Sequence, residues 1–279
     1  MIIDFHTHIF PPVIVNQRES YFPAEPDFKL LYDSPKARVA TAEDLIAAMD
    51  ENGVHQSVVF GFPWKNFKTT KIHNDTILGA VTKYPERLKG FCCVDPKSDQ
   101  SATEVIRCLD AGLSGVGEIA FYGNGFDQSA QDQLAPIMDI CRERNVPVLI
   151  HTNEPIGHDY HGKSPMTMNQ IFGLINRFKN NIIVLAHWGG GVFFFNLLKR
   201  EIKETLENVY VDTAASPFLY DPLIYQIALQ IIGADKILFG SDYPLIHPKR
   251  YFQEIETSGI SMDDQQKICG RNAVKILNV

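Results

Sequence analysis

The sequence has no long hydrophobic run and no cluster of basic residues. The apolar stretch at residues 189–198 is too short to cross a membrane, and Lys199 and Arg200 follow it directly. The net charge of -7 argues against nucleic acid or an anionic membrane as the main partner. No basic segment precedes the first apolar residues, so we expect no signal peptide. These absences predict that the protein binds neither nucleic acid nor a membrane.

Cysteine is scarce and shows no C-x-x-C spacing. The chain has five cysteines, an odd number: Cys92, Cys93, Cys108, Cys141 and Cys269. This pattern excludes a disulfide framework and a zinc knuckle, and it indicates reduced, mostly packed thiols. We therefore expect a cytoplasmic protein. A Pro/Ser-rich linker is also missing, so the sequence predicts one domain over residues 1–279.

Short apolar strands alternate with helical patterns along the whole chain. The predicted strands cover residues 1–8, 57–62, 90–94, 115–120, 147–151, 181–187, 209–213 and 236–241. The predicted helices cover residues 41–53, 74–84, 101–111, 132–143, 165–178, 193–208, 222–232 and 248–279. Eight such units in a chain near 250 residues predict a (β/α)₈ TIM barrel. An open, doubly wound sheet is the alternative, but no Gly-rich phosphate loop follows the first strand.

A long segment separates the first strand from the first predicted helix. Residues 9–40 contain five prolines and mix aromatic with charged side chains. We predict an irregular capping loop here, which its aromatic residues keep folded. Exposed aromatic residues in this loop also suggest a contact between two copies, and hence a homodimer.

Ligand-type side chains stand at the ends of the predicted strands. His6 and His8 lie two residues apart, so both point to the same side of the first strand. Other strands end at or near Glu118, His151, His187 and Asp242. A lone histidine at a strand end is usually structural, and a lone aspartate in Gly-Ser-Asp-Tyr-Pro usually forms a turn. Because parallel strands of a barrel end at one rim, the set together predicts a divalent metal site.

The chain resembles the amidohydrolase superfamily, and within it amidohydrolase family 2. Five segments carry this resemblance: 3–8 (IDFHTH), 90–96 (GFCCVDP), 148–152 (VLIHT), 185–190 (LAHWGG) and 238–244 (LFGSDYP). Their order and spacing are similar to those of the family, and they span most of the chain.

The resemblance implies roles for the six rim residues. His6, His8 and Asp242 are similar to the family's metal ligands, and His151 completes the first site or reaches a second ion. Glu118 stands where many members have a carboxylated lysine, and it could bridge two ions. His187 either binds a second ion or acts as a base. The implied cofactor is one or two divalent ions, zinc first, with manganese or iron as alternatives.

Hydrolysis of an amide, ester or lactone by metal-activated water is the function that we expect first. The metal lowers the pKa of its bound water to about 7, and Asp242 takes the proton as general base, with His187 beside it. The alternative is a metal-dependent decarboxylase or hydratase of a carboxylated aromatic or dienoate. A nuclease of the TatD type and a non-catalytic binding protein are further hypotheses.

The loops after the strands supply candidates for the substrate pocket. They are Trp64, Tyr122, His158, His161 and Tyr243. A substrate carboxylate would need a basic partner, for which Arg18, Arg38, Lys65 and Lys163 are candidates, although a solvated surface charge is the common reading of each.

Overall fold

The computed structural model describes residues 1–198 and 200–278 and contains one eight-stranded sheet. Its strands are β1 (Ile3–His8), β2 (Gln56–Phe60), β3 (Leu88–Cys92), β4 (Gly115–Ile119), β5 (Val148–Ile150), β6 (Ile183–Leu185), β7 (Val209–Asp212) and β8 (Ile237–Leu238). Each strand pairs in parallel with the next along the chain. The segment after β8 returns to β1, where Phe5 N–H donates to Phe239 O at 2.7 Å and Asp242 N–H to His6 O at 2.9 Å. The predicted TIM barrel is confirmed.

Helices follow the strands around the outside of the sheet. They are α1 (Pro12–Gln17), α2 (Pro26–Tyr32), α3 (Ala42–Asn52), α4 (Phe67–Lys83), α5 (Ser101–Asp110), α6 (Gln128–Arg144), α7 (Met168–Arg177), α8 (Arg200–Thr205), α9 (Ser216–Leu219), α10 (Ile224–Ile232), α11 (Pro248–Thr257), α12 (Met262–Gln266) and α13 (Asn272–Leu277). Thr41 caps α3 as expected, because its hydroxyl accepts from Asp44 N–H while Asp44 accepts from Thr41 N–H.

Three stretches differ from the sequence-based prediction. The segment 9–40 is not an irregular loop, because it contains α1, α2 and a 3₁₀ helix at Arg18–Tyr21. In place of the predicted helix 193–208 there is a kinked segment of 3₁₀ turns at His187–Leu197, in which residues 188–191 have left-handed φ, followed by α8. The predicted terminal helix is interrupted at Gly259, whose φ of 73° is left-handed, and then continues as α12, a π-helical turn and α13. Residues 199 and 279, at which two of these predictions fall in part, lie outside the described part of the chain.

The apolar side chains form two layers around the sheet. A larger cluster joins the outward strand residues to the helices, as at Val59, Val116 and Ile183. A smaller cluster includes Phe5 and Phe91, whose rings meet edge to face at 5.6 Å, and α13 packs against it. Burial on both sides explains why the strands are continuously apolar. Among the described residues no helix is long and apolar enough to span a membrane.

Candidate metal centre

Six side chains from five strand ends meet at one rim of the barrel. They are His6, His8, Glu118, His151, His187 and Asp242. His6 Nε2 lies 3.3 Å from His8 Nε2 and 3.6 Å from Asp242 Oδ1, and His8 Nε2 lies 3.5 Å from the same oxygen. Donor atoms bound to one ion at about 2.1 Å lie roughly 3.0–3.4 Å apart. These three atoms, which we call the donor triangle, therefore suit one divalent ion after a small contraction.

Hydrogen bonds on the far side of three rings fix which nitrogen faces the triangle. His6 Nδ1–H donates to Asp212 Oδ2 at 2.8 Å, His8 Nδ1–H to Gly61 O at 3.4 Å, and His187 Nδ1–H to Ala214 O at 3.0 Å. All three partners are acceptors, so each ring, when neutral, presents the lone pair of Nε2 to the centre. This carboxylate or carbonyl support is typical of histidines that bind metal ions.

His151 is held differently from the other three rings. Its Nδ1 lies 3.0 Å from Glu118 Oε1, and its Nε2 lies 3.1 Å from Gly162 O. Burial disfavours the cation, but the charge of Glu118 outweighs it and raises the pKa of His151. Binding of His151 to a metal would therefore require one of these two hydrogen bonds to break.

The carboxylates are ionised despite their burial. Burial alone would raise the pKa of Glu118, but His151, His6 and His8 hold it well below its usual range. Burial likewise opposes ionisation of Asp242, which a hydrogen bond from His8 and the charge of His6 overcome, lowering its pKa. Glu118 also lies 3.8 Å from both His8 Nε2 and His187 Nε2. Two carboxylates among four imidazoles give a centre suited to a cation.

The histidines have opposite pKa shifts. Burial alone would lower the pKa of His6, but the negative charges of Asp212 and Glu118 outweigh burial and raise it to about 10. Burial lowers the pKa of His187, and its nearest charges do not reverse that shift. His187 is therefore neutral at neutral pH and can accept a proton. Because His6 must lose its extra proton to bind a cation, metal binding should release protons.

Two glycines, Gly117 and Gly240, let the backbone pack closely next to the rim side chains. Gly117 precedes Glu118 with a φ of 142°, and a Cβ there would lie 2.5 Å from Leu149 O. A Cβ on Gly240 would lie 2.7 Å from the Cβ of His6. A side chain at either position would displace a rim residue.

Two adjoining lobes of a cavity open onto the donor triangle. The basic lobe, of about 340 Å³, is lined by Tyr32, Lys36, Arg38, Phe62 and Tyr122. The apolar lobe, of about 330 Å³, is lined by Leu31, Ala215, Phe218, Leu219 and Leu245, with His158, Tyr160 and His161 at its edge. Both lobes are lined by His151, His187 and Asp242 as well.

The predicted substrate-binding residues divide into two groups. Tyr122, His158 and His161 line the lobes. Trp64 does not: its indole is buried among Phe28 and Phe62 and donates to His73 Nδ1 at 2.8 Å. Tyr243 packs away from both lobes, and its hydroxyl donates to Asp44 O at 3.3 Å.

The basic candidates also differ in their surroundings. Arg18 donates to Ala37 O and Ser34 O and so braces the segment after α2. Lys65 pairs with Asp27 at 3.2 Å, and Lys163 pairs with Glu154 at 3.3 Å. Arg38 is the candidate that lines the basic lobe.

Sequence reasoning missed Asp212 and Tyr32. Asp212 supports His6 and also accepts from the N–H groups of His187 and Ala214, at 2.9 and 3.0 Å. The signal was present, because Asp212 ends an apolar strand as the metal-site candidates do. Tyr32 had no signal, because it was one aromatic residue among several in a segment expected to be irregular.

A parallel barrel with a metal-binding rim at the strand ends defines a class of metal-dependent barrel enzymes. The chain belongs to the amidohydrolase family, whose model matches residues 3–279. It is 21% identical to a gamma-resorcylate decarboxylase of Rhodococcus jostii, over 99% of this chain and 98% of that one. It is 25% identical to a gamma-resorcylate decarboxylase of a Polaromonas species, over 76% of this chain and 77% of that one.

Solved structures share the fold. The 5-carboxyvanillate decarboxylase of Sphingomonas paucimobilis superposes with a TM-score of 0.80 at 19% identity, over 100% of this chain and 99% of that one. A dihydroxybenzoic acid decarboxylase of Polaromonas, with bound manganese and 2-nitroresorcinol, superposes with a TM-score of 0.73 at 20% identity, over 99% and 96% of the two chains.

These relatives correct the expected reaction. Hydrolysis of an amide, ester or lactone was the first expectation, and it is wrong, because the curated relatives are decarboxylases. A decarboxylase breaks a carbon–carbon bond without adding water, so it is a lyase and not a hydrolase. The preference for zinc is not supported either, since three of the similar solved structures contain manganese.

Proposed function

We propose that this protein is a metal-dependent decarboxylase of a carboxylated aromatic acid. One observation carries the proposal: a cavity with aromatic and basic walls opens directly onto the donor triangle. Phe62 and Tyr122 offer ring faces, and Arg38 offers a guanidinium for a carboxylate or a ring hydroxyl. The similarity to gamma-resorcylate decarboxylases over nearly the full chain supports the same substrate class.

The donor triangle of His6, His8 and Asp242 would hold the ion, and Glu118 would complete its coordination. We propose one divalent ion, and manganese is the first candidate because carboxylate ligands suit it and related structures contain it. When bound, the ion would act as a Lewis acid that holds the substrate and stabilises its developing negative charge.

The side chains of the rim would handle the proton. In decarboxylation the bond between the ring and the carboxyl carbon breaks, its electron pair stays on the ring carbon, and that carbon takes a proton as carbon dioxide leaves. We propose that the Asp242 carboxylate, ionised at rest, takes this proton from solvent water and passes it to the ring carbon, because Asp242 lines both lobes. His187, neutral and with the Nε2 lone pair facing the centre, would accept the hydrogen bond or proton of a ring hydroxyl.

The partners and location remain proposals that rest on composition. We propose a small-molecule substrate and no nucleic-acid partner, because the net charge is -7. We also propose a cytoplasmic location, since all five cysteines are free thiols. The homodimer is retained as a proposal.

A substrate panel tests the reaction. Manganese-loaded protein should release labelled carbon dioxide from carboxyl-labelled 2,6-dihydroxybenzoate or 5-carboxyvanillate. Asp242→Asn should lower kcat by a factor of about 10² or more, whereas Asp221→Asn, on the exposed surface, should not. Release of no carbon dioxide from any hydroxylated benzoate would overturn the proposal.

A further inference from the structure

The apolar lobe offers few partners for the polar groups of a small dihydroxybenzoate, because its walls are mainly apolar. Its walls come from four loops, which follow β1 (Leu31), β5 (Tyr160 and Gly162), β7 (Phe218) and β8 (Leu245). Few polar atoms reach it apart from those of the donor centre and of the histidines at its edge. A substrate that needs only hydroxyl and carboxyl contacts would leave this lobe to water.

The walls of the lobe are fixed in place by specific contacts. The guanidinium of Arg250 lies 5.1 Å from the centre of the Phe218 ring, and it donates to Pro217 O at 3.0 Å. Leu245 N–H donates to Asp242 O at 2.8 Å, which links this wall to the donor triangle. The lobe is therefore a formed surface next to the reacting atoms.

Helix α2 and the loop after β5 also meet at this lobe. A Cβ on Gly162, whose φ of 93° favours glycine, would lie 2.7 Å from Leu31 Cδ2, so the two segments pack against each other here. The carbonyl of Gly162 accepts from His151 at 3.1 Å. The wall and the donor centre are thus positioned by the same loop.

Apolar side chains are exposed at the opening of the lobe. Phe218 is 58% and Leu245 is 52% exposed, although each lines a cavity that continues to His187 and Asp242. Such exposure costs free energy unless a ligand covers it. An occupant must be apolar and must be joined to a group that reaches the donor centre.

We propose that the substrate is an aromatic carboxylic acid with an apolar substituent, such as an alkyl chain or a second ring, and that the apolar lobe binds this substituent. The proposal rests on the proposed function, because it assumes that the carboxylated ring lies at the donor triangle. Phe218, Leu219 and Leu245 are specificity-determining residues in this proposal and take no part in the chemistry.

Calorimetric titration of the manganese-loaded protein tests the lobe separately from the reaction. The probes are 2,6-dihydroxybenzoate and its 3- and 4-methyl, ethyl and propyl derivatives. In one of the two series, each added methylene should lower Kd by a factor of about 2–4. Phe218→Ser and Leu219→Ser, at residues that line the apolar lobe and not the basic lobe, should remove that gain and leave the Kd of the unsubstituted acid unchanged.

The matched control is Leu223→Ser, because Leu223 is 53% exposed and lies outside the lobe. It should retain the full gain. If the unsubstituted acid binds but alkyl groups bring no gain in either series, or if the two lobe variants keep the gain, the assignment of the lobe is overturned while the proposed function stands. If no probe binds, both are overturned.

Discussion

Asp212 supports the metal site without facing it, and sequence reasoning did not single it out although it ends a strand. Asp212 is fully buried and accepts from His6 Nδ1 at 2.8 Å, while its other oxygen anchors the backbone at His187 and Ala214. It therefore holds two of the rim histidines in their orientation. Such supporting carboxylates raise the basicity of the ligand that they orient.

We predict that Asp212→Asn weakens manganese binding by a factor of about 10–100, since the amide keeps an oxygen for the backbone but loses the charge that supports His6. Equilibrium dialysis with metal analysis measures this. Asp221→Asn removes the same charge from the exposed surface and serves as the control. Equal affinity in the Asp212→Asn and natural proteins would remove Asp212 from the account of the site.

His73 is also a buried histidine, but its role is structural. It accepts from the Trp64 indole N–H at 2.8 Å and donates to Ile9 O at 2.6 Å, so only the neutral ring satisfies both partners. Burial lowers its pKa from 6.5 to about 4. The unfolded state therefore binds more protons between these two values, and stability falls as the pH falls through this window.

We predict that His73 accounts for a loss of about 3 kcal/mol in the free energy of unfolding between pH 6.5 and 4. His73→Gln keeps a neutral donor and acceptor but cannot titrate, so its stability should fall less over the same range. Urea titrations of both proteins at several pH values measure the difference. Parallel pH profiles for the two proteins would show that His73 does not contribute.

At the scale of elements, the segment between β1 and α3 shows what the sequence could and could not reveal. Its five prolines led to the prediction of an irregular loop, but they are compatible with two short helices that begin at Pro12 and Pro26. Proline is compatible with the first turn of a helix, and its φ favours that position. The aromatic residues correctly indicated a folded segment, since Phe10, Phe28 and Trp64 pack together.

The set of rim residues was predictable because side chains two residues apart on a strand point to the same side, and because parallel strands of a barrel end at one rim. His6 and His8 could be placed on one side from their spacing, and their nitrogens lie 3.3 Å apart. The pocket was less predictable, because the direction of a loop depends on contacts between distant residues. Trp64 follows β2 as expected, yet its bond to His73 turns it into the core.

The segment between β1 and α3, which we call the cap, is anchored by one buried carboxylate. Glu25, at the start of α2, is 2% exposed and accepts from the N–H groups of Lys65 and Asn66, both at 2.9 Å. This contact joins α2 to the segment that begins α4, and α2 carries Leu31 and Tyr32 to the cavity.

We predict that Glu25→Ala loosens this cap, because two buried N–H groups lose their acceptor at a cost of about 1–3 kcal/mol. Hydrogen exchange at residues 26–32 and 65–66 should speed up, and KM should rise more than kcat falls. Glu19→Ala, in the exposed 3₁₀ helix, is the control. Unchanged exchange in Glu25→Ala would show that the cap is held elsewhere.

For the whole molecule, the donor centre joins strands that are distant in sequence. His6 and Asp242 belong to the two ends of the barrel, which meet where β1 contacts the segment after β8. An ion bound there links the first and last strands to β4, β5 and β6. Metal binding and the stability of the barrel should therefore be coupled.

We predict that removing the metal with a chelator lowers Tm, and that added manganese restores it in a concentration-dependent way. A free ion concentration of 100 times Kd should add about 2.7 kcal/mol of stability. His6→Ala combined with His8→Ala should abolish this response. Thermal melting over a manganese titration measures it, and a response that survives in the double variant would place the ion elsewhere.

The proposed reaction is tested most directly by the fate of the ring carbon. The manganese-loaded protein is given, in D₂O, the hydroxybenzoate that it turns over fastest, and the product is analysed by proton NMR. We predict one deuterium at the carbon that held the carboxyl group, with turnover falling to a few per cent or less in Asp242→Asn. If the protein turns over no hydroxybenzoate, or if the product still contains the carboxyl carbon, the proposal is contradicted.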